Sequence, residues 1–219
     1  MSKENIEKLM DAKNVEFRDF GITKVQERKT EDGKEELVIE GLACVYNQET
    51  VLYKGKYYEL HEIVASGALN GADMSDVIFN YNHCGRVFAR TRNQSLSLSV
   101  KTDGLHMVAV MRKNDRGHEE LYNDIKERII DKMSFAFTVK ECSYEYIERS
   151  DDTDIEIRTI TQIDKVYDVS AVDIPAYDAT HISARRVFDS ARIKHSAERD
   201  ANARKILRAK LKIEEALQA

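Results

Sequence analysis

From Val15 onward the chain is dominated by alternating apolar and polar residues, the period of strands rather than helices. Residues 1–14 read as a short polar helix or arm. Glu35–Tyr46 (EELVIEGLACVY) predicts a strand pair or one long bent strand, with Gly41 admitting a bulge or a close backbone approach. Val77–Tyr81 is a short apolar run. Over Ser95–Val100 the alternation puts Leu96, Leu98 and Val100 on one face, and Asp103-Gly104 supplies a hairpin turn into Leu105–Met111. The period changes over residues 118–131 (HEELYNDIKERIID), where Leu121, Ile125 and Ile129 are four apart and share a helix face. Acidic residues near the start of this helix suit its dipole. Strand alternation resumes at Met133–Val139, the polar residues 142–154 predict a solvated hairpin tip, and Ile155–Val172 alternates again until Pro175, the only proline. Residues 187–219 hold no Gly or Pro and are rich in Ala, Arg, Lys, Glu and Leu, a helix composition. The predicted class is α+β and β-rich, with an arm over 1–14, one domain over 15–186 and a basic helical C-terminal extension over 187–219.

Composition narrows this picture. At 219 residues the chain has apolar residues enough for one real core. No run approaches the roughly 20 apolar residues of a membrane helix, and the N-terminus has no apolar signal region, so a soluble intracellular protein with no membrane partner is expected. Cys44, Cys84 and Cys142 are scattered, without a CxxC pair, and read as free thiols. The net charge of −5 hides an asymmetry: residues 184–219 hold ten Lys/Arg and five Asp/Glu, against 24 and 34 in the rest. Because the basic tail interleaves acids and has no aromatic platform beyond Phe188, a solvated helix is favoured over a nucleic-acid binder.

Missing motifs exclude several chemistries. There is no GxxxxGK[ST] or GxGxxG loop, and neither His61-Glu62 nor His118-Glu119 extends to HExxH, since Ala65 and Tyr122 stand in the last position. Asp151, Asp152 and Asp154 lack the Gly and terminal Glu of a calcium loop. Ser134 lies in KMSFA, not in a GxSxG elbow, which excludes an α/β-hydrolase. His61, His106, His118, His181 and His195 have no mutual metal spacing and read as structural or exposed.

What remains is an ordered series of short motifs: Gly41-Leu42-Ala43, Glu62-Ile63-Val64 with Gly67-Ala68-Leu69, Asn82-His83, the Gly85–Arg90 strand and Asp103-Gly104-Leu105. The helix follows, then Met133-Ser134-Phe135, and Val169-Ser170 with Pro175-Ala176-Tyr177. In this order, over roughly Val15–Ala184, the chain resembles the prohead (capsid maturation) serine proteases of tailed bacteriophages, whose fold is similar to the herpesvirus assemblin proteases. The resemblance implies a closed or partly closed β-barrel with flanking helices. It also implies a serine endopeptidase without metal or organic cofactor, cleaving scaffold or major capsid protein, and itself, inside the assembling procapsid in the host cytoplasm. Self-association is expected by the same analogy, and the terminal arms would be scaffold-binding or self-cleaved.

Carried over by position, the family's histidine falls on His83 and its serine on Ser134. Its third member falls on Asp168, with Asp173 the other acid in reach. In these roles His83 would take the Ser134 proton and return it to the leaving amine, while Asp168 would hold the imidazole tautomer. Two positions depart from the family pattern, Ala136 where Gly is frequent and Cys84 where an acid often follows the histidine. Cys84 could itself be a thiol nucleophile, but adjacent strand residues face opposite ways, and a half-buried core cysteine is the plainer reading. The reading from another class is a catalytically silent assembly or scaffold-binding module of the same fold.

Overall fold

A computed structural model describes residues 15–173 apart from 32, 56–57 and 149–153. The arm at 1–14 and the extension at 187–219 lie outside the described residues. The strands are β1 (Glu16–Lys29), β2 (Glu35–Val45), β3 (Thr50–Lys54), β4 (Tyr58–Val64), β5 (Ile78–Tyr81), β6 (Cys84–Arg90), β7 (Leu96–Val100), β8 (Gly104–Arg112), β9 (Lys132–Ile147) and β10 (Asp154–Val172). One α-helix, α1 (Arg116–Lys126), and a 3-10 turn at Thr91–Asn93 complete the described elements.

β10 is the spine of the molecule. Its full length pairs antiparallel with β9, and its other edge takes two parallel strands end to end, β4 along Asp154–Ile160 and β5 along Asp168–Ala171. β1 divides its length between two partners, β9 through Glu16–Gly21 and β2 through Ile22–Lys29. The strand order is therefore β3-β4-β10-β9-β1-β2-β8-β7, with the β5–β6 hairpin branching from β10.

This order corrects the barrel expectation. The sheet is open: among the described residues β3, β6 and β7 each pair on one side only, and closure would need those ends to join. An alternating pattern specifies strands and their faces but not whether the first and last edges meet, so the resemblance supplied the barrel and the topology removes it. The flanking helices reduce to one α-helix among the described residues, and nothing in the structure supports the helical extension expected at 187–219.

On β9 the side chains of Met133, Phe135 and Phe137 enter the main core with Leu37, Ile39, Phe79, Met107 and Val169, and Phe135 and Phe137 stack with centroids 4.3 Å apart. Gly41 on β2 lies over this row, where a Cβ would run into the Met133 sulfur, so the close approach read from the sequence is real. Gly104, which opens β8, has φ 151° and backs onto the Cys44 carbonyl oxygen that any Cβ would overlap. Gly104→Ala is expected to destabilise the fold by about 1–3 kcal/mol through this strain; an unchanged chemical-denaturation midpoint would contradict that.

A ring of four charges lies on β1, β4 and β10, with Arg18, Glu62 and Arg158 buried and Glu16 partly so. Arg18 bonds Glu62 through two nitrogens, one at 2.6 Å, and Glu16 at 2.8 Å; Arg158 reaches Glu16 at 2.6 and 2.8 Å and Glu62 at 3.0 Å. The arginines stay protonated and the Glu16 carboxyl is held below its ordinary value despite its burial, because Arg158 and Arg18 grip it.

α1 begins two residues earlier than its pattern suggested and ends sooner. Asp115 caps it, accepting from Gly117 N–H at 3.1 Å and His118 N–H at 3.4 Å. At the other end Arg128 takes φ 60° while Ile129 N–H bonds Asp124 C=O and Arg128 N–H bonds Ile125 C=O, a Schellman closure without its usual glycine. Ile129, expected on the buried face, is consequently 67 % exposed, and Ile130 is buried in its place. No helix among the described residues is long and apolar enough to cross a membrane.

Candidate functional site

Ser134, on β9, lies in register with Ser170 on β10, which lies in register with Asn80 on β5. Residues paired across a sheet share a face, as do residues two apart on one strand. Ser134, Ser170, Asn80 and Asp168 therefore form one polar group on the face opposite Phe135 and Val169, and all four are buried.

The histidine arrives by a turn. Tyr81 and Cys84 pair across a two-residue loop, Asn82–His83, whose φ values are 49° and 55°. Two positive φ values mark a type I′ hairpin turn, which favours Asn first and Gly second. Asn82 suits its place; His83 occupies the position that glycine fills most easily, a conformation bulky residues seldom adopt. Strain of this kind persists only where surroundings hold it. Here the imidazole packs edge-on against Phe17 of β1, centroids 4.4 Å apart, and its Nδ1 meets Asp168 Oδ1 at 2.7 Å.

Ser170 completes the arrangement. Its Oγ is placed to donate to Asp168 Oδ1 at 2.9 Å and to Asn80 Oδ1, and lies 3.2 Å from His83 Nδ1. Four buried side-chain polar atoms among the described residues have no hydrogen-bond partner, and besides Tyr46 Oη and Arg158 Nε, which lie elsewhere, they are His83 Nε2 and Ser134 Oγ. With its Nδ1 proton directed at a carboxylate, the neutral imidazole carries its lone pair on Nε2. The site thus holds an oriented imidazole and an unengaged hydroxyl, with Nε2 and Oγ both buried. An unmet buried polar group costs about 1–3 kcal/mol, so two at one place are unusual outside functional sites.

The other sequence candidates fall elsewhere. Asp173 accepts a hydrogen bond from the Tyr81 hydroxyl at 2.9 Å, and of the two acids in reach of the histidine it is Asp168 that bonds His83. Cys84 heads β6, half-buried, and Cys44, whose thiol burial pushes up to about 12, sits in the core. His61 is held between Glu49 and Glu59, His106 bonds Asp103, and His118 accepts from Arg112 N–H at 3.0 Å. His181 and His195 lie outside the described residues. Sequence reasoning passed over Ser170, Asn80 and Phe17 as parts of the site. Ser170 could have been placed on the Asp168 face by its two-residue spacing, whereas Asn80 and Phe17 reach the site through register that a single strand does not disclose.

The comparisons with known proteins bear on this arrangement. Residues 23–195, well over half the chain, match the family model described as caudovirus prohead serine protease. Among solved structures the chain is similar to the capsid assembly protease of bacteriophage T4, with 13 % identity over 74 % of this chain and 98 % of that one, at a TM-score of 0.39. No curated protein matches. The chain belongs to the caudovirus prohead serine protease family, the serine peptidases of phage capsid maturation.

Proposed function

We propose that Ser134, His83 and Asp168 are the hydrolytic triad of this peptidase. The observation that carries the reading is the bond from His83 Nδ1 to Asp168, which leaves Nε2 and the Ser134 hydroxyl as the two unpartnered polar groups of the site. Asp168 orients the imidazole and stabilises its cation. Nε2 takes the Ser134 proton as Oγ attacks the scissile carbonyl carbon, and the imidazolium returns that proton to the departing amine. Water then loses a proton to Nε2 while its oxygen attacks the acyl-serine, and Ser134 leaves with the proton. The serine–histidine bond is not made in this structure, and such catalytic contacts commonly tighten only with substrate bound.

The substrate of this reading is the scaffold segment of the major capsid protein, cut inside the assembling procapsid in the host cytoplasm, with trimming of the enzyme's own chain and self-association as further parts of it. The family supports capsid maturation, and these finer statements extend it. A fluorophosphonate probe is the direct test of the nucleophile: the labelled wild-type protein should carry one adduct, mapped by peptide mass spectrometry to Ser134. An adduct at Ser170, or a thiol adduct at Cys84 with haloacetamide that stops cleavage, would overturn the assignment.

A further inference from the structure

We propose that Ser170 is a positioning residue of the triad, fixing Asp168 and the His83 imidazole through its hydroxyl; the inference rests on the triad reading above. Ser170 is fully buried and is the cross-strand neighbour of both Ser134 and Asn80. Its Oγ touches three groups of the site: the Asp168 carboxylate at 2.9 Å, His83 Nδ1 at 3.2 Å and the Asn80 amide. A hydroxyl has one proton to give. Given to Asp168, it leaves Oγ as an acceptor for the Nδ1 proton that Asp168 shares; Asn80 turns its Oδ1 to the same Oγ, and a half-turn of that amide, whose two ends are assigned rather than seen, presents an N–H there instead.

The same bonds distinguish Ser170 from the nucleophile. Its proton faces the Asp168 and Asn80 oxygens and it approaches the imidazole from the Nδ1 side, so it cannot pass a proton to Nε2. Ser134, one strand away, has its hydroxyl unengaged. Deleting the Ser170 hydroxyl removes a donor from a buried carboxylate and one of two acceptors facing Nδ1. Asp168 and the imidazole then lose their fixed mutual angle. A group acting through orientation changes the rate of the chemical step and leaves binding alone.

The test compares wild type, Ser134→Ala, Ser170→Ala and Ser170→Thr by the saturation kinetics of fluorophosphonate labelling. Ser134→Ala should take no label; labelling of that variant at the wild-type rate, or none in the wild type, would remove the triad reading itself. With that control in place, Ser170→Ala should label about tenfold to a hundredfold more slowly at saturation, the size of one hydrogen bond to a charged group, with an unchanged half-saturating concentration. Ser170→Thr, which keeps Oγ, should recover most of the rate. A Ser170→Ala protein as fast as wild type, or a Thr variant no faster than Ala, overturns the inference. Should Ser170→Ala fail to fold, Ser170→Cys keeps the shape with a weak donor: slow labelling supports the proposal and wild-type labelling overturns it.

Discussion

Ser134→Ala is expected to lower peptide-bond cleavage by about 10⁶-fold and, at the same time, to raise the stability of the fold. The rate effect follows from the triad logic, since the remaining residues have no nucleophile to activate and the residual rate comes from binding and electrostatics alone. The stability effect follows from burial. Ser134 is fully buried and its Oγ has no partner, so alanine removes an unsatisfied polar atom and nothing that the fold uses. The gain should be about 1–2 kcal/mol. Intact-mass time courses at high protein concentration, with and without capsid protein carrying its scaffold segment, read the first effect; calorimetry reads the second. Equal cleavage by wild type and variant would dismiss Ser134 as the nucleophile, and a fall of several degrees in Tm would mean the hydroxyl has a structural partner.

The largest stability loss is expected from Arg18→Met. Arg18 is 4 % exposed, bonds Glu62 and Glu16, and lies 5.6 Å from the Phe137 ring centroid. Methionine matches much of its volume but leaves two carboxylates, Glu62 buried and Glu16 partly so, sharing Arg158 alone. Removing one partner of a buried ion pair costs about 3–5 kcal/mol, chiefly because the remaining charge is uncompensated. Pairing the change with Glu62→Leu should recover part of the loss, giving a coupling energy in the double-mutant cycle. Arg28→Met supplies the contrast: Arg28 bonds Glu36 at 2.7 Å but is about half exposed, and its loss should stay below about 1 kcal/mol. An Arg18→Met midpoint within the error of wild type would show that the ring is neutral for stability.

Much of the local structure was legible because it depends on neighbours in sequence. The hairpin near Asp103-Gly104, the extended chain through Gly41, which its pattern leaves open between one strand and two, and the existence of the helix each follow from turn, bulge or periodicity within a few residues, whereas the helix cap at Asp115 lies three residues ahead of where the pattern begins. The helix end escaped because Arg128 holds the left-handed cap position that glycine would have announced, and Ile129 was misplaced with it. The Asn82–His83 turn escaped for a related reason: Asn-Gly advertises a type I′ turn, whereas a histidine in the second place does not. For the site, ordered motifs led to His83 and Asp168, which the structure joins, and to Ser134. Ser170 and Asn80 depend on the register of β9, β10 and β5, and strand pairing is a property of three segments at once. Sheet closure lay furthest out of reach, since it depends on edges distant in sequence.

The mounting of the three residues divides the site mechanically. Ser134 and Asp168 stand on interior strands hydrogen-bonded on both sides, so moving either means breaking sheet. His83 rides on a two-residue turn at the tip of the β5–β6 hairpin, whose outer strand β6 has no second partner among the described residues. On the proposed triad the base is therefore the one member carried by a turn, tied to β10 through the bond from Asn82 N–H to Ala171 C=O at 2.9 Å. On that reading the distance between Nε2 and Oγ depends on how one short hairpin seats against a floor of paired strands.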